Sequence, residues 1–394
     1  MTLTFHPSEL RGHARLPRSK SDIHRRLICA ALCPEGSVIR SCALSEDTSA
    51  TLRALESLGA RAVWRGEDLL LSGPSVFPRM PELHCGESAT MLRLLMPVCL
   101  ARCGGAVLVT SGRLADRPLS GYTGCLPDMS VTRDGNRIIV RGSLSAGHYH
   151  VDASVSGQFV SGLLTALSCI PGESVLCAGD APVSAGYIRM TEQALADAGV
   201  SAERLAPFTW HIRGNAAFRP FEATAEADCS AAALIVCLRA LGHEVTADQP
   251  EHTYQPDGAI SGLLDSSGPY DLSSCPDLAP VLAVTLGLRP GTHVLTGCGR
   301  LRFKESDRLS GIPAMIRALG GYARADGDTI IIEGTPEYAG GVMPDCAGDH
   351  RMIMAAALAS TRCRAPVSVQ GADRAVRSWP GFIEEWQALG GRIS

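Results

Sequence analysis

One unit recurs along this chain and limits the folds open to it: a helix stopped by glycine, then two short alternating strands around a tight turn. Residues 47–60, DTSATLRALESLGA, carry apolar positions at helical spacing and end in Leu-Gly. RAVWRGEDLLLSG follows as two alternating runs around Gly-Glu-Asp, the pattern of a hairpin. Residues 131–142, VTRDGNRIIVRG, repeat the hairpin, and residues 312–334 repeat helix and hairpin together. Looser copies are MTEQALADAGVSAERLAPFTWHIRG and LIVCLRALGHEVTADQ. Further helical patterns at 88–103, 157–169, 229–241, 277–288 and 350–361 open near Ser, Asp or Gly, and short apolar strands such as AVLVTSG and THVLTGCG precede several of them. A repeat of roughly 60–80 residues is too long for a small solenoid unit. The pattern predicts an α/β protein of about six βαβαββ-like units grouped in two domains. The one hint of a boundary in the pattern is the polar stretch RGNAAFRPFEATAEADCS near 213–230.

Composition excludes several functions. A net charge of −4, from 36 basic and 40 acidic residues, leaves no surplus for nucleic-acid binding. The first residues lack a charged start followed by an apolar stretch, and the most apolar run, AAALIVCLRAL, is broken by Arg239. A cytoplasmic protein is therefore expected. The fifteen cysteines include no CxxC, which fits reduced, packed thiols and neither a disulfide framework nor a zinc ribbon. The P-loop, HExxH, GxSxG and GxGxxG templates are absent.

Only two of the 36 basic residues are lysines, Lys20 and Lys304. Wherever charge alone matters this chain uses arginine, so two retained lysines point to compact ammonium groups able to transfer a proton. Both fall in stretches that join basic residues to a helix start: PRSKSDIHRR (17–26) and RLRFKESDRL (300–309). CGESATMLR (85–93), GRLADRPLSGY (112–122) and GDHRMIM (348–354) have the same character. Free N–H groups and the dipole at a helix N-terminus favour anions, and five such stretches point to a site for a polyanion. Glu305 and Asp277 add candidates for proton transfer, although Asp277 also reads as a helix N-cap.

These stretches, with SGQF, SAGYIRMT, CPD and RSWPGF, resemble the enolpyruvyl transferases in consistent order from Leu16 to the C-terminus. The likeness is strongest to the branch that acts on shikimate 3-phosphate. It implies two globular domains, each of three βαβαββ units around a cleft, with residues 1–16 and 228–394 in one and 17–227 in the other. It also implies transfer of the enolpyruvyl group of phosphoenolpyruvate to the 5-hydroxyl of shikimate 3-phosphate by addition and elimination. No metal or cofactor is needed, and a monomer is expected. By this resemblance Lys20, Arg93, Arg117, Arg308, Arg351 and Arg377 hold phosphoenolpyruvate. Ser21, Arg25, Ser156, Gln158, Ser184, Tyr187, Asp277 and Lys304 hold shikimate 3-phosphate. Asp277 would take the hydroxyl proton, Glu305 (alone or with Lys20) would protonate C3, and His350 would assist.

Four positions depart from the family pattern. Arg377 stands where Lys is common, Gly157 where Ser or Ala is common, and Arg300 where an Asn often contacts substrate. Ala89 replaces the Gly of inhibitor-sensitive members, so weaker inhibition by glyphosate is expected. Four other readings are weighed. The sister enzymes acting on UDP-N-acetylglucosamine carry a Cys five residues before the Arg-Pro, where this chain has Gly112. A catalytically dead binding protein would not need Lys20, Asp277, Glu305 and His350 together. RNA 3′-phosphate cyclases would need a nucleotide-site pattern that is missing. A relative using a modified cyclohexene acid stays open.

Overall fold

The computed structural model describes residues 1–179, 183–250 and 253–394. The chain divides into two compact units, one formed by Arg18–Glu226 and the other by Met1–Pro17 with Ala227–Ser394.

The unit Arg18–Glu226 contains three four-stranded mixed sheets of one design. In one, Glu82–Gly86 runs parallel to Gly105–Thr110, which pairs antiparallel with Arg137–Arg141 and places Val107 opposite Ile139. Arg137–Arg141 in turn forms a hairpin with Ser130–Asp134. The hairpin loop is two residues long and opens on Gly135 at φ 56°, a conformation that costs glycine little. His148–His150, Glu173–Cys177, Thr209–Arg213 and Ala202–Ala206 form the second sheet, and Glu222–Thr224, Ser37–Arg40, Asp68–Ser72 and Arg61–Arg65 the third.

Five helices of this unit carry the argument: α1 (Lys20–Ala31), α2 (Glu46–Ser57), α3 (Ala89–Cys103), α4 (Gln158–Leu167) and α5 (Ala185–Asp197). All of α3 except Thr90, Ala101 and Arg102 is buried, as expected of a helix apolar on every side. It packs on α4, while α1 lies against α2 and α5. Gly162 sits at the α3–α4 crossing. A Cβ there would meet the Tyr122 hydroxyl, lie 2.6 Å from the Arg93 carbonyl oxygen and 2.9 Å from Pro97 Cγ. The approach of the two helices therefore requires glycine.

The other unit has one sheet of the same design, ordered Tyr270–Asp271, Thr292–Thr296, Thr329–Glu333, Tyr322–Asp326. Two shorter pairings complete it. Arg11–Ala14 runs parallel to Glu244–Ala247, and Thr2–Phe5 runs antiparallel to Val367–Gln370. The hairpin expected from LIVCLRALGHEVTADQ does not form. Asp248, Gln249 and Pro250 follow the strand, so no alternating run returns beside it, and the N-terminal strand takes the place. The helices here are α6 (Cys229–Ala240), α7 (Ala279–Leu286), α8 (Arg308–Ala318) and α9 (His350–Ser360). Every residue of α7 and α9 is buried, and the two pack on each other and on α6.

All fifteen cysteines carry free thiols, buried except for the half-buried Cys125 and Cys177. Burial pushes the thiols of Cys42, Cys85 and Cys237 up to about 12, so they pack as small apolar groups. Among the described residues no helix is long and apolar enough to cross a membrane, and no cluster of three His, Cys, Asp or Glu side chains is placed to hold a metal.

Candidate active site

Helix N-termini carry most of the candidate residues. In the unit Arg18–Glu226, Lys20 opens α1 directly after the N-cap Ser19. Its ammonium donates to Asp47 Oδ2 at 3.1 Å, both side chains being under one-fifth exposed. Arg25 lies one turn further along α1. It donates to Thr191 Oγ1 at 2.8 Å and to the carbonyls of Ser21 and Tyr187 at 2.6 and 2.9 Å, with the Tyr187 ring beside it. Burial lowers this guanidinium to about 10. Arg25 thus ties Ser21 of α1 to Tyr187 of α5. Ser184, buried, precedes α5 at φ 58°.

At the start of α3 the N-cap Ser88 accepts from the Met91 amide, and Ala89 is the first helical residue. Arg93, one turn in, donates to Gln158 Oε1 and to the Pro118 carbonyl, each at 3.0 Å, and stacks on Phe159. Gln158 donates to Thr90 Oγ1 at 2.8 Å, and its amide N–H donates to Ser156 Oγ at 3.2 Å. The structure thus joins Arg93, Ser156 and Gln158. Arg117 follows the short turn Leu114–Asp116, and its carbonyl accepts from Arg133. Gly157 has a local reason: a Cβ there would lie 2.9 Å from the Val183 carbonyl oxygen and 3.3 Å from Ile188. At Gly112, φ is 55°, a left-handed conformation that strains a side chain, and a Cβ there would also displace the end of the flexible Glu87 side chain.

The other unit holds a dense ion-pair cluster. Arg308, fully buried at the start of α8, donates to Asp277 at 2.7 Å, Glu305 at 2.8 Å and Asp349 at 2.7 and 3.0 Å. Lys304 donates to Asp277 at 3.0 Å, and Ser306 donates to Asp349 at 2.9 Å. Asp277 lies in the 3-10 turn Pro276–Leu278 and caps no helix, so its carboxylate is left for these cations. Burial opposes ionisation of Asp277, but Lys304, Arg308 and Arg351 outweigh it and hold the group well below the usual carboxylate range. Burial first, and Arg308 after it, lower Lys304, with Asp277 opposing. Asp349 caps α9 by accepting from the Arg351 amide at 2.9 Å, and is likewise lowered by Arg308 against burial. His350 and Arg351 are buried beside it. Arg377 closes the turn Ala372–Arg377, half-buried, and Arg300 lies in the turn Gly299–Phe303.

Two partners were not among the expected site residues: Asp47, the counter-ion of Lys20, and Asp349, the clamp on Arg308. The signal for both was weak. Asp47 sits in the first turn of α2, where an acidic residue is ordinary, and Asp349 reads as a cap.

Known proteins match this arrangement along the whole chain. A family model described as EPSP synthase (3-phosphoshikimate 1-carboxyvinyltransferase) matches residues 5–249 and 235–386. A Clostridium kluyveri protein named 3-phosphoshikimate 1-carboxyvinyltransferase is 32% identical over 418 residues, spanning 99% of this chain and 98% of its own. A Clostridioides difficile protein of the same name is 30% identical, spanning 100% and 98%. EPSP synthase from Acinetobacter baumannii superposes with a TM-score of 0.80 at 21% identity, covering 100% of this chain and 99% of its own. The enolpyruvyl transferase NikO from Streptomyces tendae gives 0.78 at 17%, covering 100% and 98%. At those identities the two structures establish the fold alone. The full-length sequence matches go further: the chain belongs to the EPSP synthase (3-phosphoshikimate 1-carboxyvinyltransferase) family.

Proposed function

We propose that this protein transfers the enolpyruvyl group of phosphoenolpyruvate to the 5-hydroxyl of shikimate 3-phosphate, releasing phosphate. The observation that carries the reading is the buried Arg308, which holds Asp277, Glu305 and Asp349 as an array with Lys304 against Asp277. An enzyme joining two polyanions needs fixed cations to offset their repulsion and fixed carboxylates to move protons. Lys20, Arg93, Arg117, Arg351 and Arg377 take the carboxylate and phosphate of phosphoenolpyruvate. Ser21, Arg25, Ser156, Gln158, Ser184, Tyr187 and Lys304 take shikimate 3-phosphate. Arg308, which gives four hydrogen bonds to three carboxylates, acts mainly by holding the acids in place.

Asp277 receives the hydroxyl proton as the oxygen bonds to C2, and Glu305, with Lys20, delivers a proton to C3. The tetrahedral adduct then loses the C3 proton and the C2–phosphate bond, giving the enolpyruvyl ether and inorganic phosphate. Incoming anions compete for Lys304 and so relieve the cationic load that keeps Asp277 a weak base. The enzyme is read as a monomer in the cytoplasm, working on small soluble substrates without a metal. Purified protein should release phosphate from phosphoenolpyruvate with shikimate 3-phosphate at on the order of 1–10³ per second, and not with UDP-N-acetylglucosamine. Release with neither acceptor would overturn the assignment.

A further inference from the structure

Arg25 and Arg26 are adjacent in α1 and both buried, but different kinds of partner hold them. Arg26 donates to Asp22 Oδ2 at 2.9 Å and to Asp197 Oδ2 at 3.0 Å, so its charge is offset within the fold. Among the described residues the hydrogen-bond acceptors of Arg25 are all uncharged. Its Nε donates to Thr191 Oγ1 at 2.8 Å, its Nη1 to the Ser21 carbonyl at 2.6 Å and its Nη2 to the Tyr187 carbonyl at 2.9 Å. A buried guanidinium that served packing alone would stand beside a carboxylate, as Arg26 does, because an unpaired buried charge is costly. Three neutral oxygens fix its plane and leave its charge unspent, along with two of its five N–H groups.

Two of these acceptors are backbone carbonyls, which any residue supplies. The third is the hydroxyl of Thr191, buried in α5, a helix that packs on both α1 and α4. Packing alone would be met there by Val, which has the same shape and similar helix propensity. The Thr191 hydroxyl is itself anchored. It accepts from Arg25 and has one proton to donate, to Ser161 Oγ of α4 at 2.8 Å or to the Tyr187 carbonyl at 3.2 Å. Ser161 is fully buried. Arg25, Thr191 and Ser161 thus form a chain of side-chain hydrogen bonds across three helices.

We infer that Thr191 is a positioning residue for shikimate 3-phosphate binding: anchored on Ser161, its hydroxyl aims the Arg25 guanidinium at an anionic group of that substrate without neutralising it. The inference rests on the reading proposed above, in which Arg25 binds shikimate 3-phosphate. Burial lowers Arg25 only to about 10, so the guanidinium stays charged at neutral pH with or without the hydroxyl. What the hydroxyl controls is its direction.

The test is Thr191→Val, which keeps the shape and removes the hydroxyl. It is measured beside the native protein, Thr191→Ser and Ser161→Ala. The readings are the Kd for shikimate 3-phosphate by calorimetry and the KM for phosphoenolpyruvate at saturating shikimate 3-phosphate. Thr191→Val should raise that Kd about tenfold, as expected for losing one hydrogen bond to a charged group, and leave the KM within about twofold. Thr191→Ser, which restores the hydroxyl, should return the Kd to within about threefold of native, and Ser161→Ala should raise it by less than Thr191→Val does. An unchanged Kd overturns the inference. So does an equal rise in Kd and KM, or a rise that Thr191→Ser fails to reverse, since general loosening of the helices would give either result. If Thr191→Val does not fold, the same comparison on Ser161→Ala decides. A native protein that releases phosphate with no acceptor overturns the enzymatic reading itself, and the inference with it.

Discussion

Asp277 is pulled in opposite directions, by burial toward the neutral acid and by Lys304, Arg308 and Arg351 toward the carboxylate, and the cations win. The carboxylate is therefore held ionised, as the proposed role of proton acceptor requires, and sharing its cations with substrate would make it more basic. Asp277→Asn should lower turnover by about 10²–10⁴-fold while thermal unfolding stays cooperative; near-normal turnover would remove Asp277 from the chemistry. Ala89 poses a narrower question. It is 6% exposed at the first position of α3. Ala89→Gly should make glyphosate inhibit about tenfold more strongly, the discrimination expected from one methyl group in a tight site. The measurement is inhibition with phosphoenolpyruvate near its KM, and equal inhibition of both forms would clear Ala89 of the role.

Elements matter here through their ends and their crossings. α1, α3, α8 and α9 each begin on a Ser or Asp cap, and Lys20, Arg93, Arg308 and Arg351 lie within the first two turns. The cap fixes where each helix starts, and so where its basic side chain stands. Crossings set the rest. Arg93 reaches Gln158 because α3 and α4 approach at Gly162. Gly162→Ala would push the Arg93 backbone and Tyr122 apart from α4. It should cost about 1–3 kcal/mol in urea unfolding and weaken phosphoenolpyruvate binding together with it. A stable variant with native KM would mean that the crossing tolerates a methyl group and does not place Arg93.

At the scale of the molecule, both units hide a histidine that burial keeps neutral. His24, in α1, donates to or accepts from Thr51 at 2.7 Å and is lowered to about 3; His243, just beyond α6, is lowered to about 4. An unfolded histidine protonates near 6.5. Below that pH the unfolded chain therefore binds more protons than the folded one. Stability falls as pH drops from about 6.5 toward 4, each histidine contributing on the order of 1 kcal/mol per pH unit. Asp257 works the other way, since its ionisation disfavours the fold as pH rises through about 6, and it offsets part of the slope. His24→Asn should flatten the dependence in urea titrations between pH 7 and 4, and an unaltered slope would place its source elsewhere.

Much of this was legible in the residues alone. Helix period, glycine stops and two-residue hairpin loops are local, and a short window of side chains decides them; the hairpins at 61–72, 130–141 and 322–333 followed the pattern. The two lysines stood out against thirty-four arginines because charge alone would not have kept them. Partners distant in sequence were another matter. No local pattern says that the first strands pair with Val367–Gln370 and Glu244–Ala247, since pairing is chosen by which edges the packed helices leave open. Nor could spacing tell whether Asp277 caps a helix or faces Lys304, whether Asp349 merely caps α9 or also clamps Arg308, or that Asp257 keeps an unpaired oxygen. The sequence by itself determined the elements and the kinds of charge at their ends. Tertiary packing decided which charges meet, because burial makes each buried charge depend on neighbours hundreds of residues away or only a turn apart.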